Sequence, residues 1–170
     1  YTSGTTGMPK GVKISHANVV ATVAGLEDKL PTVGIEGEGD VYLAYMPLAH
    51  IMEMAGELIA YSIGMRVGYG SPHTLTPTGV KIMEGTCKGD AQVCTPTLLV
   101  MAPAILDKVY VGLQNKMKLA KPVVQKLFAR GIEAGEANFE SGGVGAPFGY
   151  NALVFKKVQA LLGGNLKCVI

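Results

Sequence analysis

Tyr1-Thr2-Ser3-Gly4-Thr5-Thr6-Gly7-Met8-Pro9-Lys10-Gly11-Val12 opens the chain. Three glycines, four serine or threonine hydroxyls and one lysine fall within its first eleven positions. Glycine reaches the positive φ angles that let successive backbone N–H groups converge on an anion. The hydroxyls add donors, and Lys10 adds a mobile positive charge. The stretch reads as a polyphosphate cradle. Spacing excludes two better-known phosphate loops. A Walker loop has four residues between its glycines and then Lys-Ser/Thr, whereas two residues separate Gly4 from Gly7 and Gly11 follows Lys10. The dinucleotide fingerprint G-x-G-x-x-G is absent as well.

Outward from the loop, residues 12–14 read as a strand and Ser15 as the N-cap of a helix over 16–30, which Pro31 and Gly34 terminate. Residues 41–46 read as a strand stopped by Pro47. A helix over 51–63 follows, with Ile51, Met54, Leu58 and Tyr61 at three-four spacing. Then come a strand at 66–69, a short helix from Thr76-Pro77 to Met83, and a strand at 92–95. Leu98, Ala102, Ile105, Leu106, Val109 and Leu113 mark one apolar face, divided at Pro103. A polar helix over 122–134, a loop over 141–147, a helix over 151–162 and a strand over 166–170 complete the order. Short apolar strands alternating with helices predict an α/β domain with a largely parallel sheet and flanking helices. Both ends read as cuts through secondary structure, so a piece of a larger domain is expected.

At 170 residues and 48% hydrophobic, the chain has the length of one domain and enough apolar content for a core. A net charge of +2 gives no electrostatic case for nucleic acid. Lys116, Lys118, Lys121, Lys126 and Arg130 cluster, but Glu133, Glu136 and Glu140 follow at once, as on a solvated helical face. Cys87, Cys94 and Cys168 are odd in number and lack CxxC spacing, which predicts free thiols in a reducing compartment. The longest apolar run, 98–106, is too short to span a bilayer.

A second constellation is Met46-Pro47-Leu48-Ala49-His50-Ile51-Met52-Glu53-Met54-Ala55-Gly56-Glu57. His50 opens a helix at the carboxyl end of a strand, where clefts form in open α/β sheets. Glu53 is expected one turn later on the same face. A metal pair is disfavoured, since no third ligand is spaced for it. His73 has no supporting partner and reads as a loop residue.

The opening string resembles the phosphate loop of the adenylate-forming superfamily, Tyr/Phe-Thr/Ser-Ser/Thr-Gly-Ser/Thr-Thr-Gly-x-Pro-Lys-Gly-Val, and meets it at every position. Pro47-Leu48-Ala49-His50-Ile51-Met52-Glu53 resembles the second core motif of eukaryotic long-chain fatty acyl-CoA synthetases. Other members tend to carry Pro-x-Phe/Tyr-His-x-x-Gly there. Residues 68–72, 96–110 and 153–165 are similar to the same family, and residues 116–149 are the least distinctive. Lys88-Gly89-Asp90 leans towards the branch for long-chain and polyunsaturated substrates. His16 and Asn18 match the family's Ser-His-x-Asn, where a capping role is expected.

The resemblance implies residues 1–170 of the large N-terminal AMP-binding domain, from the phosphate loop to just before the adenine-binding turn, without the C-terminal lid domain. It implies activation of a long-chain fatty acid with ATP to acyl-adenylate and then acyl-CoA, with Mg²⁺ and coenzyme A. On that reading Thr2, Ser3, Gly4, Thr5, Thr6, Gly7 and Lys10 hold the ATP phosphates, and Thr2 approaches Mg²⁺. Catalysis falls to Lys10 and His50. His50, Glu53 and Gly56 face the substrate, where His50 shapes the passage between adenylate and thiol. The helix over 51–63 helps to wall the acyl tunnel. The fragment alone is expected to be inactive. The resemblance places the parent at the cytosolic face of the endoplasmic reticulum or another organelle, with any membrane anchor outside this stretch. Another adenylate-forming enzyme, such as an aryl-CoA ligase or luciferase, is the alternative within enzymes. A non-catalytic nucleotide- or acyl-binding module is the alternative outside them.

Overall fold

The computed structural model describes residues 1, 7–83, 85–143, 145, 148–150 and 155–170. Four parallel strands form one sheet in the order β2-β1-β3-β4: β1 is Val41–Ala44, β2 Arg66–Tyr69, β3 Leu98–Leu99 and β4 Cys168–Val169. Val41 pairs with Arg66, Tyr42 with Val67 and Leu98, and Leu98 with Cys168. The chain steps outward from β1 to β2, then returns across β1 to β3 and on to β4. The carboxyl ends of β1 and β3 therefore flank the point where the winding reverses, the usual ligand crevice of such sheets.

Side-chain alternation divides the core into two layers. Tyr42, Ala44, Leu98 and Val100 face one side and pack with Ile35, Ile59, Ala60 and Met65. Leu43, Tyr45, Leu99 and Met101 face the other and pack with Leu75 and Ala91. The first layer is covered by α1 (His16–Lys29), its 3-10 extension Leu30–Val33, and α2 (Ile51–Ser62). The second is covered by α3 (Asp90–Cys94) and the 3-10 turn Ala160–Leu162. The helices α4 (Pro103–Lys118), α5 (Pro122–Glu140), α6 (Phe148–Tyr150) and α7 (Lys156–Gln159) complete the described elements.

Ser15 caps α1 as expected. Its Oγ accepts from Asn18 N–H at 3.2 Å while Asn18 Oδ1 accepts from Ser15 N–H at 3.0 Å, a reciprocal capping box. Pro103 stands at the first turn of α4, as expected. The residues before it are not helical, because Leu98 and Leu99 are fully buried in the sheet. The strand expected at 92–95 is α3 instead. Gly89 caps it, Asp90 accepts from Ser71 N–H at 3.0 Å and from the Thr74 hydroxyl, and Thr95 ends it at φ 49°.

Residues 12–14 are not a strand. Val12 and Ile14 remain 62% and 47% exposed, so they do not pack as sheet residues. The helix expected from Thr76 to Met83 is a series of turns, in which Gly79 and Ile82 donate to Thr76 and Gly79 carbonyls. The polar helix α5 runs six residues past its expected end, to Glu140. His73 lies in a turn, as read. Of the helix expected at 151–162, residues 151–154 lie outside the described residues, and Gly163 ends the remainder at φ 91°.

One ionic tie joins the approaches to β1 and β4. Asp40, 3% exposed, accepts from Lys167 Nζ at 2.8 Å and from Glu36 N–H at 2.8 Å. Burial alone pushes its carboxyl up. The Lys167 ammonium, together with the Glu36, Thr97 and Gly37 donors, outweighs that and holds it down from 3.8 to about 2. A lowered native pKa means that the unfolded chain takes up the proton first as pH falls. The stabilisation is present above pH 3.8 and is lost towards pH 2. About 2 kcal/mol of stability is expected to disappear across that window, and Asp40→Asn should remove this part of the acid slope. Urea titrations at stepped pH check it; an unchanged slope in the variant would exclude Asp40 as the source.

Candidate functional site

β1 ends at Ala44, two residues short of the expected end at Met46, and the chain turns sharply through Pro47 before α2. His50 N–H donates to Pro47 O at 2.8 Å, and Glu53 and Met54 N–H donate to His50 O at 3.0 and 3.1 Å. His50 is therefore the N-cap of α2, in extended backbone (φ −80°, ψ 125°), with Nδ1 accepting from Met52 N–H at 3.3 Å. An accepting Nδ1 puts the proton of the neutral ring on Nε2. The second ring nitrogen is thus a donor.

His50 lines a cavity of about 560 Å³ with Tyr1, Val12, Ile14, Leu48, Ala49, Ile51 and Met54. Tyr1 and Val12 are the ends of the opening string, so the cavity brings those ends beside His50. Gly7 and Lys10 are exposed on that segment. Thr2, Ser3, Gly4, Thr5 and Thr6 lie outside the described residues.

Glu53 does not share the exposed face of His50. The Tyr42 hydroxyl and Met46 N–H draw the Glu53 side chain inward, away from the cap. Glu53 is fully buried. Its Oε1 accepts from the Tyr42 hydroxyl at 2.6 Å and its Oε2 from Met46 N–H at 2.8 Å. Gly56 also turns inward, and a Cβ there would fall onto the Tyr42 hydroxyl and lie 2.7 Å from its Cζ. Glu53 and Gly56, expected to face the substrate, pack on Tyr42 and do not line this cavity. Burial raises the Tyr42 hydroxyl far above its ordinary pKa, and the Glu53 carboxylate adds to the effect.

Glu57, one turn on, is also occupied. It accepts from the Tyr69 hydroxyl at 2.9 Å and the Tyr61 hydroxyl at 3.1 Å, tacking α2 to the end of β2. Reasoning from the motifs did not single out Tyr42 or Tyr69. Their signal was tyrosine in a strand beside a helix carrying two carboxylates, which fixes no pairing by itself. The three cysteines are free thiols. Among the described residues no group of three or more His, Cys, Asp or Glu gathers as a metal site, and no helix is long and apolar enough to cross a membrane.

The family model for AMP-binding enzymes matches residues 1–164. The chain belongs to the AMP-binding enzyme family. Among curated relatives of this AMP-binding chain, long chain acyl-CoA synthetase 8 of Arabidopsis thaliana is 38% identical over all of this chain and 24% of its own length. Long-chain-fatty-acid–CoA ligase 1 of Schizosaccharomyces pombe is 41% identical over 75% of this chain and 18% of its own. Long-chain-fatty-acid–CoA ligase 1 of Saccharomyces cerevisiae is 35% identical over all of this chain and 23% of its own. The chain thus spans about a quarter of these relatives' length, or less. No solved structure gives a significant match. The parallel sheet with flanking helices agrees with the N-terminal domain expected for the family.

Proposed function

We propose that a protein carrying this chain activates a long-chain fatty acid in two steps. The carboxylate attacks the α-phosphate of ATP, giving acyl-adenylate and pyrophosphate; the thiol of coenzyme A then displaces AMP. The observation that carries this reading is the cavity where Tyr1 and Val12, the ends of the phosphate-loop string, meet His50 and Leu48 of the second motif. The names of the curated relatives support the fatty acyl class.

In this reading residues 2–7 and Lys10 hold the β and γ phosphates and steer the leaving pyrophosphate. Preorganised N–H donors and a cation act where charge develops. Thr2 offers a single hydroxyl, a donor set that suits Mg²⁺, which keeps waters and is shared with substrate phosphates; its bound charge would offset theirs. Nε2–H of His50 offers one donor to an oxygen in the cavity, at the mouth between adenylate and thiol. Attachment to the cytosolic face of an organelle membrane belongs to the same proposal and would rest on residues outside this chain.

The test is product formation by the protein at its natural length, with ATP, Mg²⁺, coenzyme A and a labelled long-chain fatty acid. Thioester, AMP and pyrophosphate should appear together and only with the fatty acid. Adenylation of aryl acids in preference would turn the reading to another adenylate-forming enzyme. Binding of nucleotide or acyl chain without turnover would make it a binding module.

A further inference from the structure

The 46–50 turn carries His50, and one residue closes it at both ends. The Glu53 side chain holds its entry through Met46 N–H at 2.8 Å, and the Glu53 backbone N–H holds its exit through His50 O at 3.0 Å. The other carboxylate oxygen is tied to Tyr42, itself fully buried in β1. A fully buried carboxylate is an expensive way to fill a core, since apolar groups of the same shape are commonly as stable. What a carboxylate adds is direction. It accepts from two donors at once and so fixes a strand, a turn and a helix relative to one another.

We propose that Glu53 is a positioning residue for His50. By holding Met46 N–H it sets where the turn leaves the sheet, and so where the His50 ring sits at the cavity and which nitrogen stays bonded to Met52 N–H. Its bearing on the reaction rests on the reading of that cavity as the reaction site; its hold on His50 does not.

Ring ¹⁵N spectra of histidine-labelled chain separate the two. In Glu53→Gln, which keeps the volume but loses one acceptor, the His50 nitrogens should move towards the average of both tautomers, while His16 and His73 stay in place. Tyr42→Phe breaks the same network without freeing Met46, and it should leave the His50 ring near its native signals. Unmoved His50 signals in folded Glu53→Gln would overturn the proposal, and so would equal shifts in both variants, which would mean general loosening. Should Glu53→Gln not fold, amide exchange in the unmodified chain decides: Met46 N–H is expected to be protected, and rapid exchange there would refute the tie. In the thioester assay Glu53→Gln should lower kcat about tenfold with KM for ATP changing less, and should add nothing in a His50→Ala background. An equal further loss in that background would show that Glu53 does not act through His50. If His50→Ala alone left turnover intact, the site reading would fail while the spectra still judged the hold on His50.

Discussion

Gly56→Val is expected to destabilise the chain by about 4 kcal/mol, combining overpacking of a buried site with loss of a buried hydrogen bond. Even the first added carbon collides with the Tyr42 ring, which has nowhere to go: Tyr42 is fully buried and its hydroxyl is held by Glu53 at 2.6 Å. Valine also carries two branches into a helix packed on the sheet. For a chain of this size the loss corresponds to a melting temperature lower by roughly 8–16 °C. Gly56→Ala discriminates between the competing effects. Alanine gains about 1 kcal/mol of helix propensity over glycine, so a stabilised alanine variant would show that Tyr42 moves freely. Net destabilisation by about 2 kcal/mol is expected, because displacing the pinned ring outweighs that gain. Urea unfolding followed by circular dichroism measures both variants.

Lys10→Ala, in the protein at its natural length, is expected to slow adenylate formation by about a hundredfold. Thioester formation from supplied acyl-adenylate should stay within about threefold. The two half-reactions differ in where charge develops. On the proposed reaction, negative charge builds on the departing pyrophosphate in the first, where an ammonium beside it would favour that state over the bound substrate. In the second, pyrophosphate has already left. Lys10→Arg keeps the charge but replaces a compact ammonium with a planar fork, so partial recovery is expected. Equal losses in the two half-reactions would remove Lys10 from the phosphate role and leave it a general determinant of the fold.

Several elements were legible because their determinants lie close together in sequence. Ser15 and Asn18, three residues apart, contain the whole capping box of α1. The strand Arg66–Tyr69 sits between Gly64 and Gly70, and its bounds matched. Segments 92–95 and 98–99 were misassigned for the opposite reason. Five to six residues carry too little periodicity to separate a short helix from a buried strand. What decided α3 was Asp90 receiving Ser71 and Thr74, residues sixteen to nineteen positions away.

The site divides along the same line. By itself the sequence determined the chemistry on offer: a hydroxyl- and glycine-rich loop with Lys10, a histidine opening a helix, and the family to which both strings point. Only the tertiary structure decided that Tyr1, Val12 and His50 share one cavity while Glu53 and Gly56 turn away from it. Spacing along a helix says which residues share a face, but the partner that buries the face says which way it points. Here that partner is Tyr42, across a turn from the helix, and its hydroxyl claims the carboxylate that the motif had assigned to the substrate.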